Sequence, residues 1–159
     1  MATTSERVRP PASKRGPDDG LGELASRMRL VITRTARRLR QEAGTDLGPS
    51  QTAALATIER HGPLTPSELA GIERVQRPAA TRIVARLEES GLVERVADPL
   101  DGRSFTVTPT SRGRALMRKL RTRKNAYLAR RLRRLDDEEL AILARSAEIL
   151  EGILERDRP

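Results

Sequence analysis

LTPSELAGIERVQRPAATRIVARLEESGLVERVADPLDGRS, residues 64–104, is the stretch that decides the fold. It opens on a fully specified helix start. Thr65 is the N-cap, Pro66 takes the first helical position, and Glu68 can bond back to the Thr65 amide to complete a capping box. Leu64 before the cap and Leu69 after it make a hydrophobic staple. This short helix ends near residues 71–73. A second helix is predicted over 77–90, with Pro78 tolerated in its first turn and Ala80, Ile83, Val84 and Leu87 facing inward. Gly91 supplies a left-handed C-cap and Leu92 its apolar contact. Residues 92–96 and 104–108 alternate in the manner of strands. Between them Asp98-Pro99-Leu100-Asp101-Gly102-Arg103-Ser104 is rich in turn formers. A helix pair followed by a basic-tipped hairpin can set a helix in one DNA groove and a loop against the next.

The outward side of the second helix carries Arg77, Thr81, Arg82, Arg86 and Glu89, with Ala79 and Ala85 as a small-residue stripe between the arginines. Guanidinium forks suit phosphate or guanine edges, and a threonine methyl can meet a thymine methyl. At the hairpin tip, Arg103 can reach a minor groove while Asp101 orients it. The competing reading is an amphipathic surface helix with solvated arginines and a plain turn with a local Asp–Arg pair.

On the N-terminal side, residues 49–60 are predicted helical, with Ala53, Ala54, Leu55 and Ile58 inward and Gly62-Pro63 as the stop. Residues 21–43 form an amphipathic helix striped by Leu24, Met28, Val31, Ile32 and Leu39, ended by Gly44. Residues 1–20, with Pro10, Pro11, Gly16, Pro17 and Gly20, read as a disordered arm. Its Arg7, Arg9, Lys14 and Arg15 are either a solvated tail or minor-groove contacts. Beyond the hairpin, residues 110–135 form one long helix. A further helix begins at Asp136, with Glu139 as capping partner. It carries Leu140, Leu143, Ala147, Leu150 and Leu154 as a narrow apolar seam suited to coiled-coil contact or to an intramolecular hairpin.

Charge sharpens this division. The chain of 159 residues is net +9, which favours a polyanionic partner. Residues 46–115 are nevertheless neutral, residues 116–134 carry +9 with no acid, and residues 135–159 carry −5. The basic run from Arg118 to Arg134 is therefore expected to pair with the acidic last helix, or to touch phosphates near its start. The chain has no cysteine and one histidine, His61, so neither thiol chemistry nor a histidine-rich metal site is available. No metal, cofactor or catalytic set is expected, and no membrane span or signal peptide. The expectation is a soluble cytoplasmic protein that is not an enzyme. A winged-helix protein–protein interaction module without specific DNA binding is the alternative class. An RNA-binding winged helix would need stacking aromatics, which are scarce.

The run from Leu64 to Met117 resembles the winged helix-turn-helix of the multiple-antibiotic-resistance regulator (MarR) family. The most specific features are the DPLDGRS tip and the TPTSRGRAL that follows it, where the family has an acidic-x-Arg-Ser tip and a Thr-x-x-Gly helix start. The chain departs from the pattern at Gln76, where the family often has a capping serine, and at Pro109. The resemblance implies a mainly α fold with a small β-wing (α+β), a winged helix-turn-helix flanked by N- and C-terminal dimerisation helices. The divisions are an arm at 1–20, a dimerisation helix at 21–45, the DNA-binding domain at 46–114 and C-terminal dimerisation helices at 115–159. It implies a homodimeric regulator, a repressor on a pseudo-palindromic double-stranded operator. Base reading falls to Gln76, Arg77, Ala79, Thr81, Arg82 and Arg86. The wing offers Asp101, Arg103 and Ser104, and the DNA backbone is assigned to Ser50, Gln51, Thr65 and Ser67. Leu24, Leu143, Ala147, Leu150 and Leu154 fall at the dimer interface. A small lipophilic or phenolic effector is implied, with Met28, Val31, Ile32, Arg34 and Tyr127 as lining residues, for each of which core packing is the competing explanation.

Overall fold

A computed structural model of the chain describes residues 17–97 and 105–156. The N-terminal arm up to residue 16 and the wing tip at 98–104, with Asp101, Arg103 and Ser104, lie outside the described residues. In chain order the elements are α1 (Pro17–Ala43), α2 (Pro49–His61), α3 (Pro66–Glu73), α4 (Arg77–Glu89), β1 (Val93–Ala97), β2 (Phe105–Pro109), α5 (Ser111–Leu132) and α6 (Asp137–Arg156). Residues 17–20, expected in the arm, belong to α1. A proline at the first position of a helix loses no hydrogen bond and has the right φ already set, so Pro17 marks a start as readily as it marks disorder.

The chain divides into two compact units, residues 1–38 and 39–159. In the first, α1 runs as continuous helix with Leu24, Val31 and Ile32 exposed and Met28 half-buried.

The second unit holds the core. Leu55, Ile58, Leu69, Val84, Leu87, Val107 and Leu120 are almost completely buried. Each such side chain contributes about 1.5–3 kcal/mol relative to exposure. α2 lies at the centre, touching α3, α4, α5 and β2. Ala54, Leu55 and Ile58 are its inward face, whereas Ala53, expected inward, is exposed. At 100° per residue Ala53 falls outside the stripe of the other three, and one methyl group carries too little apolar area to pull a helix round.

The local signals of the helix pair hold. The Thr65 hydroxyl accepts from Glu68 N–H at 3.2 Å, and Thr65 N–H donates to the Glu68 carboxylate at 2.7 Å. Both staple leucines are buried. At the end of α4, Gly91 takes φ +66°, Gly91 N–H donates to Glu88 C=O and Leu92 N–H to Leu87 C=O, the paired bonds of a Schellman cap. α3 closes in the same way, Arg74 N–H to Gly71 C=O and Val75 N–H to Ala70 C=O. There, however, the left-handed residue is Arg74, at φ +53°. A side chain in this conformation costs about 1–2 kcal/mol that glycine avoids.

β1 and β2 are antiparallel, from Val93 opposite Pro109 to Ala97 opposite Phe105, each one residue beyond the predicted span. Val93 is the only buried residue of β1, while β2 keeps Val107 and Pro109 buried and Phe105 half-buried against the core. Leu64 pairs with Val107 through two backbone bonds of 3.2 and 2.8 Å, adding a one-residue third strand. The Thr-x-x-Gly start of α5 has a steric basis. Thr110 Oγ1 accepts from Gly113 N–H at 3.1 Å and donates to Gly91 C=O at 2.7 Å. A Cβ at Gly113 would stand 2.1 Å from the Leu92 carbonyl oxygen.

α6 is capped as expected, with Glu139 N–H on Asp136 Oδ1 at 2.8 Å and Asp136 N–H on Glu139 Oε2 at 3.2 Å. None of its residues is buried. Leu143, Ala147 and Leu154 are exposed, Leu140 and Leu150 half-buried. Ile142, Ile149 and Ile153 are exposed as well, so the apolar face is broader than the predicted narrow seam.

The expected pairing of the basic run with α6 is absent: no ion pair joins α5 to α6 among the described residues. Two of its arginines turn to other elements instead, and a third to a ring on its own helix. Arg121 grips Glu59 of α2 with two guanidinium nitrogens. Arg123 donates to the carbonyls of Ala43 and Gly44 at 2.9 and 3.2 Å, closing the C-terminus of α1. Arg131 lies 5.1 Å from the centre of the Tyr127 ring. Carbonyls and rings attract guanidinium as carboxylates do, and only the fold decides which is nearest.

Candidate nucleic-acid interface

α4 presents the arginines. It begins from Gln76, whose backbone is extended and whose side chain makes no capping bond. The Gln76 C=O accepts from Ala79 and Ala80 N–H, so the helix starts on backbone bonds alone and the carboxamide remains available. Gln76, Arg77, Thr81, Arg82 and Arg86 are exposed, and Ala79 half-buried. Thr81 Oγ1 donates back to the Arg77 carbonyl at 3.1 Å, which leaves the methyl as its distinctive group toward a base.

A cleft of about 270 Å³ separates the start of α2 from α4. Gly48, Pro49, Ser50 and Gln51 line one side, Ala79, Arg82, Ile83 and Arg86 the other. No acid lines it, and α2 has none in its first turn. Unpaired N–H groups and the positive end of the dipole make such a helix start attractive to phosphate. Gln51 Oε1 accepts from Gly48 N–H at 2.9 Å, so its amide NH₂ remains a donor.

Five of the predicted residues, Ser50, Gln51, Ala79, Arg82 and Arg86, thus meet at one cleft. Thr65 differs. Its hydroxyl is held by Glu68, donating to the carboxylate at 2.9 Å while accepting from the amide. Ser67 is exposed in the first turn of α3. The Thr65 backbone and hydroxyl bonds hold the Glu68 carboxyl below its usual range, so it stays ionised as a cap.

Glu88, at the end of α4, pairs with Arg95 of β1 at 2.8 Å. The Arg95 guanidinium also lies 4.6 Å from the Phe105 ring centre. This set, which the sequence reading missed, neutralises one acid of α4 and braces the wing across its two strands. The charges at 88 and 95 were visible; their meeting depends on the reversal at Gly91.

The residues predicted to line an effector site belong to different units. Met28, Val31, Ile32 and Arg34 lie in residues 1–38, and Tyr127, half-buried under Arg131, lies on α5. Within the second unit a larger cleft of about 540 Å³ is bounded by the 44–47 loop, Ser90, Leu92 and the α5 face Arg112, Ala115, Leu116 and Lys119. None of the five predicted residues is in it.

Residues 47–105 match the MarR family model. An HTH-type transcriptional regulator of Mycobacterium tuberculosis is 34% identical over 138 residues, which are 86% of this chain and 96% of that one. The chain belongs to the MarR family. Among solved structures, a Pseudomonas aeruginosa transcriptional regulator is 34% identical, with a TM-score of 0.74 over 84% of this chain and 95% of that one. Streptococcus pneumoniae FabT, solved in complex with DNA, is similar in fold at 19% identity, with a TM-score of 0.68 over 87% of this chain and 99% of that one. The MarR-family assignment accounts for the architecture described above, a winged helix-turn-helix between terminal helices, and makes the chain a transcriptional regulator. No helix among the described residues is long and apolar enough to cross a membrane.

Proposed function

We propose that this MarR-family regulator acts in the cytoplasm as a homodimer on a pseudo-palindromic operator in double-stranded DNA, as a repressor released by a small lipophilic or phenolic effector, and without enzymatic activity. The observation that carries the reading is the acid-free cleft that brings Ser50 and Gln51 at the start of α2 together with Arg82 and Arg86 of α4. One phosphate strand fits between them while the N-terminal half of α4, with Gln76, Arg77 and Thr81, enters the major groove. Arg103 and Ser104 of the wing would touch the adjacent groove. FabT bound to DNA supports the choice of ligand. The exposed apolar residues of α1 and α6, Leu24, Leu143 and Leu154 among them, support the dimer.

Selection of genomic fragments with the purified protein, followed by titration of the selected duplex across a salt series, tests this. The expected result is one enriched inverted repeat, bound with a steep negative dependence on salt. Absence of duplex binding at low salt would instead place the chain among protein–protein interaction modules.

A further inference from the structure

The turn between α3 and α4 holds an arginine where the backbone asks for glycine. Arg74 has φ +53° and ψ +45°, and the two bonds that close α3 require that conformation. Glycine would make both bonds without steric cost. The side chain returns nothing to the fold that would explain its presence. Arg74 is exposed, and its guanidinium makes no hydrogen bond or ion pair among the described residues. The adjacent acid, Glu73, instead accepts the hydroxyl of Thr57 from α2. Three residues of chain lead from Arg74 to Arg77 at the head of α4, a reach of at most roughly 11 Å. A backbone outlier that the surrounding structure maintains without using its side chain points to a role outside the fold.

We propose that Arg74 is a further DNA contact, a phosphate-binding side chain at the point where the recognition helix enters the groove. This rests on the DNA-binding reading above. A phosphate contact adds affinity on any sequence and steepens the salt dependence, and carries no base preference.

The test compares wild type, Arg74→Gly and Arg74→Lys in thermal unfolding and in titration of the selected operator and of an unrelated duplex across a salt series. Arg74→Gly is expected to melt a few degrees higher, because the strain is relieved. It should bind both duplexes roughly three- to tenfold more weakly, with the slope of log affinity against log salt reduced by about one. Arg74→Lys should melt like wild type and keep the slope. If Arg74→Gly binds both duplexes as wild type does, with the slope unchanged, Arg74 is tolerated strain and the proposal fails. Wild type that binds no duplex would overturn the DNA-binding reading itself, a distinct outcome.

Discussion

The arginines of α4 and those of α5 carry the same side chain into opposite surroundings. On α4, Arg77, Arg82 and Arg86 are exposed and make no ion pair among the described residues. On α5, Arg114 bonds the Pro109 carbonyl, Arg121 holds Glu59, Arg123 caps α1 and Arg131 covers Tyr127. Four of the nine cations of α5 are therefore already engaged, and none of the three of α4 is, among the described residues. Net charge measures attraction at a distance. Whether a cation can grip a ligand depends on what already occupies its donors.

Substitutions can break that contrast, since α5 changes should move stability and α4 changes affinity. The largest effect is expected from Gly113→Ala, at the foot of α5. Its Cβ would collide with backbone rather than with a side chain that can turn away. A loss of about 3 kcal/mol or more is expected in urea denaturation. A loss under about 1 kcal/mol would mean that α5 can shift on the wing base and is no rigid strut. Next come Arg82→Ala and Arg86→Ala, each expected to weaken operator binding by about 1–3 kcal/mol with an unchanged melting temperature. Operator affinity equal to wild type would remove the distinction. Arg123→Ala should cost about 1 kcal/mol of stability through the lost carbonyl bonds, with nonspecific DNA affinity unchanged. A parallel fall in that affinity would place Arg123 with the α4 arginines.

The smallest effect belongs to Arg121→Ala. An exposed pair contributes little, because water screens it and holding it costs both side chains freedom. Its pH dependence is the sharper readout. The Arg121 hydrogen bond, with further help from the charge of Arg121, Arg118 and Arg114, holds the Glu59 carboxyl below its ordinary 4.5. The contribution is thus complete above that ordinary value and lost as pH falls through the folded-state one. The gap between wild type and Arg121→Ala should stay constant near neutrality and close on acidification. A gap that persists at low pH would trace to packing instead.

Much of the reading head was legible because its signals are local. Thr65 and Glu68 are three residues apart, Gly91 follows its helix directly, and Thr110 and Gly113 share one turn. The cleft was half legible. Ser50, Gln51, Arg82 and Arg86 were each named, but their meeting depends on how α2 crosses α4. The fate of the basic run was not legible, because carbonyls at Ala43 and Gly44 leave no mark in a charge count. Leu64 was read as a staple residue only. Its pairing with Val107 joins positions too distant in sequence for any periodicity to reveal.

That single bridge has a kinetic consequence. By tying the residue before the α3 cap to the middle of β2, it closes the helix pair and the hairpin into one loop of backbone bonds. Neither half can open fully while the amides of Leu64 and Val107 remain bonded. In native-state hydrogen exchange those two amides should exchange together with the core of α4, as one cooperative unit, while the outer wing amides beyond Arg95 exchange early.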